Sequence, residues 1–292
     1  MFEQANTHVA SSHGVLLAVY DHEPSTTAHH HPILFSHATG FHGRVFTPVA
    51  EHLTARSCTT FDYRGFGDTA APTDTPLAWE HFGDDAVAMA QHVFDKHRQR
   101  PLIGVGHSMG GAALIMAALR EPQLFAALIV FEPIIFPPEV RTQGGRSNPL
   151  ADVTRRRRRT FASYEDAIVN FGAKPPLSSL HPDALAAYVR LGFTQTTDGV
   201  HIKCDPEFEA QTYEMGVHHD TWQALGEVQT PTWVIAGAHA DHSPAAIAPL
   251  IAGRIPASTF VAWGDLGHFG PLDDPARFAN LIAEHADSIS LR

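Results

Sequence analysis

Gly106-His107-Ser108-Met109-Gly110 lies between a short apolar run, Leu102 to Val105, and a small-residue stretch, Met109 to Leu119. Glycines two before and two after a serine fit a very sharp strand-to-helix turn, where neighbouring elements crowd the backbone. Such a turn strains the serine and presents its hydroxyl at the strand's carboxyl end, beside the positive end of the next helix. A chance match in a Gly-rich turn is the alternative. The strand pattern before the motif and the helix pattern after it argue against chance.

Val15 to Tyr20 reads as a strand, hairpin-paired with one near Thr7 to Ala10. Ile33 to Ser36, Cys58 to Phe61, Leu102 to Val105 and Ala127 to Phe131 read as buried strands. Between them, the apolar spacing predicts helices over Val45 to Ala55, Trp79 to Arg98 and Met109 to Leu119. The rhythm resumes with a strand at Thr232 to Ala236, a helix at Pro244 to Ala252, a strand at Thr259 to Trp263 and a closing helix over Pro275 to Ser288. Strands alternating with helices imply a mostly parallel α/β sheet covered on both faces. From Pro133 to about Gly226 there are proline clusters, a basic run and amphipathic helices, but no convincing central strand. This stretch reads as a helical cap inserted after the sixth strand. The expected organisation is a core of 1–132 and 227–292 with a cap of 133–226.

Composition bounds the partners. A formal charge of −11 argues against a nucleic-acid surface. No apolar run approaches the roughly 18 residues of a membrane span. Met1 to His13 lacks a charged-then-apolar signal pattern, and Cys58 and Cys204 read as two reduced thiols, so a cytoplasmic protein is expected. Three of the 21 histidines, His29, His30 and His31, are adjacent, but no metal-ligand spacing accompanies them. Neither metal nor organic cofactor is expected. A monomer or homodimer acting on a small molecule fits the composition.

A serine nucleophile needs a base, a carboxylate to orient that base, and two convergent N–H donors for the developing oxyanion. One donor is expected from Met109, directly after Ser108. The other is expected from His37-Ala38-Thr39-Gly40-Phe41, the loop after the first parallel strand. Together these features resemble the capped α/β-hydrolase superfamily, which includes esterases, lipases and carbon–carbon bond hydrolases. Its members carry His-Gly-x-Pro in that loop, which implies Thr39 as the donor; here Ala38 and Gly40 replace the usual Gly and Pro. Asp62-Tyr63-Arg64-Gly65-Phe66-Gly67-Asp68-Thr69 resembles the superfamily's D-x-R-G-x-G-x-S loop, with Arg64 expected in a structural ion pair.

Gly267-His268-Phe269-Gly270-Pro271 follows the last strand as the superfamily's Gly-His motif does, which marks His268 as the base. The acid has two contenders. Asp241 follows the strand that precedes the superfamily's G-x-x-D loop, one residue later than usual, and is preferred. Glu132, at the end of the strand after the nucleophile helix, is the alternative. His37, Phe41, His107 and Phe136 are expected near substrate, although His37 reads better as a brace for its loop. The five arginines Arg155 to Arg159 are either a solvated helix flank or guides for an anionic substrate. Ester hydrolysis through an acyl-enzyme is the favoured activity. Lactone, thioester or carbon–carbon cleavage by the same residues, and a non-catalytic ligand receptor, stay open.

Overall fold

A computed structural model of the chain describes residues 5, 7–25, 30–139, 148–240 and 243–290. Eight strands form one sheet: β1 (Thr7–Ala10), β2 (Leu16–His22), β3 (Ile33–Ser36), β4 (Cys58–Phe61), β5 (Leu102–His107), β6 (Phe125–Phe131), β10 (Thr232–Ala236) and β11 (Ser258–Ala262), in the order β1-β2-β4-β3-β5-β6-β10-β11. The β1–β2 and β2–β4 pairs are antiparallel, and every other pair is parallel. The central strands β3 and β5 are buried throughout, as parallel strands covered on both faces must be. This is the α/β-hydrolase fold that the sequence predicts.

Parallel pairing aligns the carboxyl ends of β3, β5, β6, β10 and β11 along one edge of the sheet, where open α/β sheets carry their ligand sites. Ser36 lies opposite Gly106 and His107 opposite Phe131, so the residues that follow these strands emerge side by side. On one face, α2 (Glu80–Lys96) buries Phe82, Ala86, Met89, Ala90 and Val93, the stripe its periodicity predicts. It packs against α3 (Met109–Arg120), whose small residues allow close approach.

The helix predicted over Val45 to Ala55 is not continuous. A 3-10 turn (Gly43–Phe46) and a single α-turn, α1 (Thr47–Ala50), give way to tight turns in which His52 N–H bonds Val49 O and Leu53 N–H bonds Ala50 O. Val45, Val49 and Leu53 are buried as expected.

Among the described residues between β6 and β10, none joins the main sheet. This insertion contains α4 (Pro149–Arg155), α5 (Tyr164–Gly172), α6 (Pro182–Gly192), α7 (Pro206–Met215) and the short α8 (Thr221–Ala224). It also contains a small antiparallel sheet of β7 (Thr160–Phe161), β9 (Gly199–Ile202) and β8 (Phe193–Thr196), so it is not purely helical. The sequence obscures these strands because each is at most four residues long and β8 is mostly exposed. The chain is completed by α9 (Pro244–Ala252), α10 (Gly270–Asp273) and α11 (Pro275–Ser290). Cys58 and Cys204 are both buried free thiols. Among the described residues, no helix is long and apolar enough to cross a membrane.

Arg64 forms the ion pair expected of it. Its Nε and Nη2 meet the two Asp85 oxygens at 2.8 and 2.6 Å, and both side chains are fully buried. Arg64 Nη2 also donates to Ser12 Oγ, and Ser11 Oγ donates to Asp85, so the pair ties the N-terminal hairpin to α2. Removing one partner of such a pair strands a charge in the core. Asp85→Ala should destabilise the fold by about 3–5 kcal/mol in urea titration. The double change Arg64→Met, Asp85→Leu should recover most of that loss, whereas an undiminished loss would mean that packing, not charge, is at stake.

Candidate active site

Ser108 leads from β5 into α3 with φ +56° and ψ −117°, a backbone conformation that L residues rarely adopt. Its N–H donates to Phe131 O at 2.9 Å, and its carbonyl accepts from the N–H groups of Ala112 and Ile134 at 3.2 Å. These bonds hold the strained residue from both sides. A Cβ at Gly106 would lie 2.6 Å from Gly111 Cα, and one at Gly110 would lie 2.2 Å from Ser36 O. Close approach therefore demands both glycines of the motif. Met109 is the first residue of α3, so its N–H belongs to the helix's unpaired first turn.

Glu132 occupies the corresponding position after β6, and it too has positive φ, +44°. Its N–H donates to Ile235 O at 2.9 Å, which fixes the turn. Its buried carboxylate divides its two oxygens. Oε1 accepts the Gly237 N–H at 2.7 Å, and Oε2 lies 2.5 Å from His268 Nδ1. A carboxylate at Nδ1 selects the tautomer that carries its proton there and leaves Nε2 as the acceptor. The side chain meeting His268 is thus Glu132. Asp241, the preferred acid from sequence spacing, lies outside the described residues.

His107 is corrected from a substrate contact to a support. It is buried, its Nε2–H donates to the His268 carbonyl at 2.7 Å, and the two rings lie 4.8 Å apart. The residue before Ser108 therefore carries the loop that holds His268. His37 is likewise fully buried and supports its own loop rather than substrate. It accepts the Tyr63 N–H at Nε2 (3.0 Å), which leaves Nδ1–H to donate to Ala38 O (2.9 Å). Thr39 is buried, and its carbonyl accepts from Tyr213 Oη at 3.4 Å. Among the described residues, no acceptor engages its N–H. Gly40 has φ +82°, and a Cβ there would lie 2.7 Å from the Glu209 carboxylate. Both facts exclude proline and explain why the loop departs from His-Gly-x-Pro.

A cavity of about 470 Å³ opens between this loop and the insertion. Thr39, Gly40 and Phe41 line one side with Phe269, and residues of α4, α5, α6 and α7 line the other. Phe41 packs between Tyr188 and Phe269 at 5.2 and 5.5 Å. Phe136 is half-buried and lines none of the described cavities near the site. Phe161 and Phe193 serve the insertion's own core. The arginine run is largely an ion-pair ladder onto α7. Arg155 meets Glu207 and Glu214, half-buried Arg157 meets Glu209, and Arg159 reaches Asp205, while Arg158 covers the Phe161 ring.

Two residues escaped the sequence reading. Buried His42 donates from Nε2 to Tyr188 O at 3.2 Å, which joins the Thr39 loop to α6. Glu209, buried beside Arg157, walls the same loop. Neither sits in a motif; only tertiary contact identifies them. Elsewhere, His13, His81 and Asp84 bring ligand atoms within 4.8 Å of one another. Asp84 already pairs with Arg120 at 2.5 Å, so the trio reads as part of that ion pair.

The buried histidines make stability pH-dependent. Burial lowers His37 and His42 to about 4 and holds His107 well below the ordinary value. The unfolded chain takes up these protons near pH 6.5, whereas the folded chain takes them up only at lower pH, near 4 for His37 and His42, so stability is fully present above 6.5 and lost as pH falls below it. Glu209 and Asp273, raised by burial, oppose the trend, but two carboxyls face three imidazoles. The urea midpoint should fall between pH 7 and pH 4.5, with net proton uptake on unfolding. A flat profile would mean that these histidines are charged in the fold.

A sequence family described as "Alpha/beta hydrolase family" matches residues 33–281. The chain is 26% identical to the abhydrolase domain-containing protein ACTT2-1 of Alternaria alternata over 223 residues, 65% of this chain and 84% of that one. In structure it is similar to the peroxisomal alpha-beta-hydrolase Lpx1 of Saccharomyces cerevisiae (TM-score 0.79, 16% identity, 100% of this chain and 87% of that one). It is also similar to a thermophilic esterase from Thermogutta terrifontis (TM-score 0.70, 20% identity, 99% of each chain). A family match over most of the chain, on a sheet of this order and with Ser108 in so strained a turn, leads to one conclusion: the chain belongs to the alpha/beta hydrolase family.

Proposed function

We propose that the protein is a serine hydrolase that cleaves a carboxylic ester of a small or medium apolar substrate through an acyl-enzyme. The observation that carries this reading is the 2.5 Å contact of Glu132 with His268 Nδ1, beside a serine held at φ +56°. Ser108 Oγ attacks the carbonyl as His268 Nε2 takes its proton. The resulting oxyanion is held by the N–H groups of Met109 and Thr39. When the tetrahedral intermediate collapses, the carbonyl re-forms, the C–O bond to the alcohol breaks, and His268 protonates the departing oxygen. Water, deprotonated by the same nitrogen, then releases the acid and restores Ser108.

Glu132 is the acid of this unit. It keeps His268 in one tautomer and stabilises the imidazolium formed during attack. The segment 133–226 acts as a cap that shapes the acyl pocket over the Thr39 loop, which the cavity shared by both supports.

Turnover of a short-chain 4-nitrophenyl ester tests these assignments together. Ser108→Ala should abolish it, and Glu132→Gln should lower kcat by about 10²–10⁴-fold with the fold intact by circular dichroism. Asp241→Asn should stay within a few-fold of the parent. If Asp241→Asn were the crippled variant and Glu132→Gln the active one, the acid assignment would be reversed. Wild-type protein that binds esters without turning them over would favour a receptor.

A further inference from the structure

The cavity above the Thr39 loop is apolar along much of its wall, with Leu150, Val153, Phe171 and Leu177 among its residues, and three cations stand in that lining: Arg157, paired with the Glu209 carboxylate that also lines it, and Arg156 and Lys174. Arg156 follows α4 and Lys174 follows α5, so two separate elements bring them to one space. Both are exposed, and neither has an ion-pair partner among the described residues. Their neighbours in the basic run differ. Arg155, Arg157 and Arg159 are neutralised by Glu207, Glu214, Glu209 and Asp205, and Arg158 lies over Phe161. In a chain of net charge −11, acidic partners are plentiful. Arg156 and Lys174 therefore stand on the wall of an apolar cavity with no ion pair among the described residues to offset their charge.

We propose that Arg156 and Lys174 form an anion subsite, so that the preferred substrate carries a carboxylate or phosphate at the end remote from the scissile bond. The inference rests on the hydrolase reading and adds to it the charge of the substrate. An apolar stem lies along Leu150, Val153 and Phe171, the reacting carbonyl reaches the Thr39 end, and the anion meets the two cations. Arg156 offers a planar fork suited to either oxyanion and Lys174 a mobile point charge. Because both groups are solvated, the attraction is screened by salt.

The test compares kcat/KM for mono-4-nitrophenyl glutarate with that for neutral 4-nitrophenyl valerate, an ester of similar size. A second arm compares butyryl-coenzyme A with the neutral thioester S-butyryl-N-acetylcysteamine. At low ionic strength the wild type should favour the anionic member of at least one pair. In Arg156→Gln, Lys174→Gln that anionic-to-neutral ratio should fall about tenfold, chiefly through KM, and 0.3 M NaCl should reduce it in the wild type. Preference confined to the glutarate pair identifies a carboxylate end, and preference confined to the coenzyme A pair identifies phosphate. A ratio within twofold of wild type in the double variant, for both pairs, overturns the subsite. Should no ester or thioester turn over, the hydrolase reading fails separately. Calorimetric binding of glutarate and of coenzyme A to Ser108→Ala, with and without the double change, still decides the subsite. Binding of either anion weakened by the double change upholds the subsite, and binding of neither, or equal binding, rejects it.

Discussion

The Glu132 carboxylate joins three strand ends that would otherwise be independent loops. One oxygen accepts the Gly237 N–H at the end of β10, and the other meets His268 in the loop after β11, while Glu132 itself ends β6. A buried carboxylate that lost either partner would be costly, so the two contacts stabilise each other. The positive φ of Glu132 turns its side chain into this position, and the backbone bond to Ile235 O holds it there. Ser108 has the same design one strand away. Two strained residues on adjacent parallel strands, each tied to its neighbour, form the rigid floor on which the proposed chemistry rests.

Histidines serve this floor in two ways. His268 stays half-exposed, with its Nδ1 against the Glu132 carboxylate. His37, His42 and His107 are buried and neutral, each donating a ring N–H to a backbone carbonyl. Through them the Thr39 loop is pinned to Tyr63 and to α6, and the His268 loop to β5. Loops at the carboxyl edge thereby gain a fixed geometry from uncharged side chains.

The core fold was legible in the sequence because its signals are local. Apolar runs marked the parallel strands, a period of 3.6 marked α2, and the serine's flanking glycines marked the elbow. Less was legible where tertiary contact decides. Spacing after β10 pointed to Asp241, yet the carboxylate on His268 comes from β6, because parallel register sets Phe131 beside Ile235 and His107. His107 looked like a pocket residue by its place in the motif, but the crowded elbow turns it into the core. The short strands of the insertion left no alternating pattern, since β7 has two residues. The arginine run could be read as a guide or a flank, and only the pairing of its neighbours with α7 and the seat of Arg158 over Phe161 separate Arg156 from the others.

The most direct measurement of the serine, histidine and glutamate unit is the rate at which a fluorophosphonate labels the protein, with the modified peptide located by mass spectrometry. Phosphonylation should fall on Ser108 alone, with Glu132→Gln slowing it at least 100-fold while the urea midpoint stays near the parent value. Label on another residue, or a Glu132→Gln protein that reacts as fast as the parent, would contradict the assignment.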